Sequence, residues 1–273
     1  MNRIDTTFEE LRAADRIGLF PYLMSGFPTL DATERLARVA VEAGADALEL
    51  GVPFSDPLAD GATIQHAGEV ALNNGASLAW CIELAARLRE QLAIPLILMT
   101  YYNPIHHYGV DRFVADAESA GVDGVIVPDL PSAEAADLTQ AADPRNLYVI
   151  PLIAPTTTDD HLAEVGRTAK GFVYCVSLLG TTGARTQLSA RLPDFIARVR
   201  KHVSQPAVIG FGIARPEHVA AVRGQAEAVV IGSAIADLLA EADPTDRESA
   251  LETYIRSMRE AAQGQRIATE TRL

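Results

Sequence analysis

Lysine is almost missing from this chain: Lys170 and Lys201 are the two in 273 residues. Chemistry that depends on an amine nucleophile at a strand end is therefore hard to place. Lys170 stands just before a strand candidate, and Lys201 sits among Arg198, Arg200 and His202 on an outer helix. Cysteine is equally scarce. Cys81 and Cys175 make no disulfide framework and suit a reducing compartment. Positive charge is short overall, with 23 Lys+Arg against 36 Asp+Glu and a net charge of −13. No basic run exists, which argues against duplex nucleic acid or an anionic membrane surface as partner. Long apolar runs are also missing. Leu92 to Met99 is short and holds Pro95, well under the roughly 18 residues of a membrane helix. The first twelve residues carry no apolar core of a signal peptide, so a cytoplasmic location is expected. The six histidines are scattered. Only His106 and His107 adjoin, in an expected loop after Asn103-Pro104, so no metal cluster is expected.

What the chain does have is a regular alternation. Apolar residues make up 48% and charged residues 22%, a globular composition. Short apolar runs at Ile17–Met24, Ala47–Val52, Pro95–Thr100, Gly124–Val127, Leu147–Ile153, Phe172–Ser177, Ala207–Gly210 and Ala228–Ile231 read as strands. Helical stretches follow at 31–43, 62–91 in two pieces, 109–120, 132–142, 159–168, 189–202, 215–223 and 233–262, the last broken at Asp243-Pro244. Near-continuous apolar strands with crossover helices mean a parallel sheet covered on both faces. Eight such units of about 34 residues fit an α/β fold of the (β/α)8 TIM-barrel kind. An open doubly wound sheet does not require eight units, and no Gly-x-Gly-x-x-Gly follows the first strand. Thr7–Asp15 is expected to form an extra helix that plugs the bottom. Residues 1–262 are then one barrel domain, and 263–273 a polar tail. Ala-Gly-Ala-Asp at 43–46 and Ala-Gly-Val-Asp at 120–123 repeat one device, a glycine ending a helix and an aspartate opening the turn into a strand.

Active sites of such barrels lie at the C-terminal strand ends. There, Glu49 interrupts the apolar strand Ala47–Val52. An ionised carboxylate in that setting is costly, and burial raises its pKa. Its neighbours on the same face, Ala47 and Gly51, leave room for a ligand. The long loop that follows carries Asp60, which could cap the next helix or form, with Glu49, a pair of carboxylates in different environments. Glycines at 180 and 183, at 210 and 212, and at 232 before Ser233 predict three loops whose backbone N–H groups can hold a phosphate without lysine. Tyr174 reads equally as core or as a hydroxyl facing the site. Tyr22, Ile64, Phe211 and Leu98 to Tyr101 could wall an apolar pocket.

The stretch Leu48-Glu49-Leu50-Gly51-Val52-Pro53-Phe54-Ser55-Asp56-Pro57-Leu58-Ala59-Asp60-Gly61 resembles the signature of the tryptophan synthase α-chain family. The resemblance continues through Pro-Asp-Leu-Pro at 128–131 and the glycine loops, and covers the chain to about residue 260. It implies a lyase of tryptophan biosynthesis that splits indole-3-glycerol phosphate into indole and glyceraldehyde 3-phosphate. At matching positions it implies Glu49 as general acid and base, Asp60 as acceptor for the indole N–H, and Tyr174 lining the site. Tyr22, Ile64, Thr182, Gly183, Phe211, Gly212, Gly232 and Ser233 are implied in substrate binding. It also implies no cofactor in this chain and a β-chain partner carrying pyridoxal phosphate, as an α2β2 heterotetramer. The loops at 52–60 and 178–188 resemble those that close the site. Two other readings stay open: a free-standing indole-producing lyase, and a silent barrel that only activates its partner.

Overall fold

The structure is a computed structural model and describes residues 1–176, 191–210 and 212–263. Nine parallel strand segments run in the order β5-β4-β3-β2-β1-β9-β8-β7-β6. They are β1 (Gly18–Met24), β2 (Leu48–Gly51), β3 (Leu96–Met99), β4 (Gly124–Ile126), β5 (Tyr148–Ile150), β6 (Leu152–Ile153), β7 (Val173–Val176), β8 (Ala207–Gly210) and β9 (Ala228–Ile231). The two outermost segments, β5 and β6, are consecutive in the chain and flank Pro151. Proline has no N–H for a ladder, so one strand is written as two. Its carbonyl still accepts from Tyr174 N–H at 2.9 Å. The ring therefore closes through that residue, and the eightfold barrel is as expected, with its fifth strand divided.

The helices outside the barrel are α2 (Leu30–Glu42), α3 (Ala62–Asn73), α4 (Leu78–Arg89), α5 (Tyr102–Tyr108), α6 (Val110–Ser119), α7 (Ala136–Ala142), α8 (Asp159–Thr168), α9 (Leu192–Val199), α10 (Pro216–Val222), α11 (Ser233–Glu241) and α12 (Arg247–Ala262). Helix α5 corrects the expected loop at His106-His107. The Asp129 carboxylate accepts from Tyr102 N–H at 2.9 Å, and Gly109 ends the turn at φ +93°, a conformation that favours glycine.

The extra N-terminal helix exists, but as α1 (Arg3–Ala13) rather than Thr7–Asp15, because Asn2 caps it by accepting from Ile4 N–H. Its buried face, Ile4, Phe8 and Leu11, closes the barrel floor. The rings of Phe8, Phe20 and Phe172 meet at centroid distances of 5.8, 5.9 and 6.0 Å. The repeated Gly/Asp device is real. Gly44 and Gly121 have φ of +113° and +76°. Asp46 takes Leu19 N–H and pairs with Arg16 and Arg259, while Asp123 takes Leu96 N–H and pairs with Arg3 and Arg89. Each buried carboxylate thus has both charge partners and a backbone donor, which offsets its desolvation. Lys170 lies with them, paired to Asp143 at 2.9 Å. The floor is braced by ion pairs, which leaves the opposite rim for chemistry.

Candidate active site

Glu49 is completely buried in β2. Neither carboxyl oxygen has a hydrogen-bond partner among the described residues. Burial alone pushes its pKa well above the ordinary carboxylate value, since the charged form loses water and gains nothing in return. Apolar strands would not place such a group by chance of packing, because a leucine would fit the sheet at no electrostatic cost.

Two tyrosines stand beside it. Tyr22 of β1 is in register with Glu49, and Tyr174 lies on β7. Both are buried. Glycines admit their hydroxyls: a Cβ at Gly51 would lie 2.0 Å from Tyr22 Oη, and one at Gly210 would lie 2.1 Å from Tyr174 Oη. Burial holds the Tyr22 hydroxyl well above its ordinary pKa, and the nearby carboxyls of Asp60 and Glu49 push it the same way. The Tyr174 hydroxyl is held up by burial, Glu49, Tyr22 and Asp60. Glu49, Tyr22 and Tyr174 are thus buried neighbours, with the partly buried Asp60 close enough to influence both tyrosines.

Asp60 is the second carboxylate. It does not cap the next helix: the cap of α3 is Gly61, with no side-chain bond. Partial burial raises the Asp60 pKa to about 6, opposed by the Tyr101 hydroxyl. Tyr101 Oη also accepts from Ala59 N–H at 3.0 Å, and its ring tilts against Phe54 at 5.3 Å. Tyr101 thus ties the Asp60 loop to the end of β3. The sequence suggests Tyr101 only as an apolar wall; nothing in its local pattern points to a partner 42 residues away.

At the neighbouring rim, Gly212 has φ +82°, and Gly232 is the N-terminal cap residue of α11, whose first residue is Ser233. The first N–H groups of a helix have no intrahelical acceptor and face outward as anion donors. A Cβ at Gly232 would be 3.5 Å from Tyr22 Cβ, which puts this helix start beside the carboxylate pocket. Ile64 is buried in the first turn of α3, just past the Asp60 loop. Thr182, Gly183 and Phe211, and the loop at 178–188, lie outside the described residues.

A family model described as "Tryptophan synthase alpha chain" matches residues 8–265. The chain is similar to the tryptophan synthase alpha chain of Chloroflexus aurantiacus, 49% identical over 259 residues that span 94% of this chain and 97% of that one. To the one of Geobacter sulfurreducens it is 44% identical, spanning 96% and 99%. Among solved structures it is similar to the tryptophan synthase alpha chain of Legionella pneumophila, with TM-score 0.88 and 35% identity over 96% of this chain and 97% of that chain. A tryptophan synthase structure from Mycobacterium tuberculosis gives TM-score 0.88 and 32% identity over 96% and 99%.

Proposed function

The chain belongs to the tryptophan synthase alpha chain family, and from that premise we propose that Glu49 and Asp60 divide the proton work of its reaction between them. The reaction is the cleavage of indole-3-glycerol phosphate to indole and glyceraldehyde 3-phosphate, a step of tryptophan biosynthesis. The observation that carries the assignment is the buried Glu49 carboxyl with both oxygens unpartnered among the described residues.

In its dry pocket Glu49 is protonated and gives that proton to indole C3. The positive charge reaches the ring nitrogen, whose N–H donates to the Asp60 carboxylate. Glu49, now ionised, takes the proton from the hydroxyl on the carbon attached to the ring. That hydroxyl becomes a carbonyl and the carbon–carbon bond to C3 breaks. Its electron pair neutralises the ring nitrogen, and Glu49 ends protonated again. The two carboxyls have the split environments such a division needs, one fully desolvated and one partly solvated. The protonated ring serves as its own electron sink, so this reading assigns no cofactor to the chain.

Tyr174 lines the reacting end, while Tyr22, Ile64 and Phe211 form the apolar wall. The phosphate is held by backbone N–H groups of Gly183, Gly212, Gly232 and Ser233, with Thr182 nearby. This reading takes residues 1–262 as one domain. It includes a β-chain partner that carries pyridoxal phosphate and consumes the indole, in an α2β2 assembly located in the cytoplasm. The test is indole release from indole-3-glycerol phosphate by the purified full chain, with and without a β chain. Release that rises when the β chain is added supports the reading. A high rate from the chain alone, unchanged by the β chain, argues for a free-standing lyase, and no release in either case for a silent barrel.

A further inference from the structure

We propose that His218 and Tyr254 are positioning residues that clamp the loop between β8 and α10 and so pre-form the phosphate-binding backbone at Gly212; this rests on the phosphate site argued above. The loop is short, running from Gly210, the last residue of β8, to Pro216, the first residue of α10. Its described part, 212–215, contains Ala214, whose N–H and C=O belong to no helix or strand ladder. Each is taken by a side chain from a different helix. Ala214 N–H donates to His218 Nδ1 at 3.2 Å, and the Tyr254 hydroxyl donates to Ala214 C=O at 3.0 Å. His218 is on α10 and is buried, whereas Tyr254 reaches the loop from α12, 40 residues away. The Ile213 side chain is buried between Gly212 and Ala214.

Two peptide planes are thereby fixed one residue beyond Gly212, whose φ of +82° is open to a glycine and leaves its N–H direction free to vary. A loop ordered before the ligand arrives does not pay that ordering cost on binding. Glu49 and Asp60 belong to β2 and the loop after it, so releasing the clamp should weaken phosphate capture without touching proton transfer. The expected signature is a rise in KM with kcat kept, the pattern of lost binding common to ground and transition states.

The experiment measures steady-state cleavage by the full chain, together with competitive inhibition by glycerol 3-phosphate as a probe of the phosphate site alone. Tyr254→Phe removes only a hydroxyl. His218→Leu removes the acceptor, and His218→Asn returns an acceptor oxygen near the place of Nδ1. With one net hydrogen bond lost, KM and the inhibition constant should both rise roughly three- to tenfold in Tyr254→Phe and His218→Leu while kcat stays within about twofold. His218→Asn should recover most of the difference. If glycerol 3-phosphate fails to compete in the wild-type chain, the phosphate-site reading itself falls, and the clamp with it. If it competes there but the variants leave both constants unchanged, the clamp is wrong and the site stands. A lower Tm with proportional loss of kcat and no change in KM likewise overturns it, because that is what a purely structural role would produce.

Discussion

At the scale of single residues, the two carboxyls differ in how much water they keep, and that difference fixes what each is expected to do. Glu49→Gln preserves shape and removes the proton that the proposed mechanism has Glu49 both give and take. General acid–base catalysis is typically worth about 10² to 10⁴ in rate, and one group serving both transfers should cost the upper end or more. Single-turnover cleavage, with circular dichroism as folding control, measures it; a folded variant keeping over about a tenth of the rate removes Glu49 from the role, since that is under 1.4 kcal/mol of barrier. In the proposed mechanism Asp60 acts as an anion, and burial raises its pKa to about 6. Below that pH it is neutral and cannot stabilise a cationic ring. The free-chain kcat/KM should therefore fall on the acid side with an apparent pKa near 6. Asp60→Asn should lose on the order of 10² in rate, and the acid limb should disappear from its pH profile.

At the scale of elements, the site depends on strands that exchange bulk for glycine. In β2 the absent side chain at Gly51 is the space the Tyr22 hydroxyl of β1 occupies. A methyl there would stand 2.0 Å from Oη and 2.4 Å from Cζ, so Gly51→Ala must displace the tyrosine. Overpacking of this kind typically costs about 1–3 kcal/mol. Tyr22→Ala empties the same space, so the double variant should be destabilised by clearly less than the two single changes together. Urea unfolding of all four proteins gives the coupling. Additive costs would show that Gly51 and Tyr22 do not share the volume. The local signal was partly visible: Gly51 is two residues from Glu49 on one face of the strand, whereas its neighbour Tyr22 comes from another strand and is brought there by the β1–β2 register.

At the scale of the molecule, the barrel separates its stability from its chemistry. The floor is aromatic and ion-paired, and the carboxylate pocket lies at the other ends of the strands. Phe8→Ala removes one ring of the Phe8–Phe20–Phe172 cluster and should cost roughly 3–5 kcal/mol in urea unfolding. The protein that remains folded should keep its KM and kcat, because the substrate end is untouched. The rim works in the opposite sense. The fold raises the Glu49 pKa, so it binds that proton when the unfolded chain has already released it. Stability from this group is present below the ordinary carboxylate value and is lost as pH rises towards the folded pKa. Glu49→Gln should therefore gain stability relative to the wild type as pH rises from about 4 to about 8. A difference independent of pH, followed by Tm across that range, would contradict the buried, unpaired carboxyl.

The barrel was legible in the amino-acid order alone, because strand and helix periods and their eightfold alternation are local patterns. Glu49 stood out as well, because a carboxylate inside an apolar strand is a cost visible without coordinates, whereas Asp60, in the loop that follows, read equally as a helix cap or as a second carboxylate. The helix α5 was hidden by Asn103-Pro104, which read as a turn; the bond from Tyr102 N–H to Asp129, 27 residues on, supports its start. The start of α1 was shifted for the same kind of reason, since Asn2 also donates to the Asp123 and Asn146 carbonyls. That Asp60 faces Tyr101 rather than capping α3, and that His218 and Tyr254 meet at Ala214, emerged from the packed fold. Those pairings join segments tens of residues apart, and no pattern of period two or 3.6 records which side chains a closed sheet will bring together.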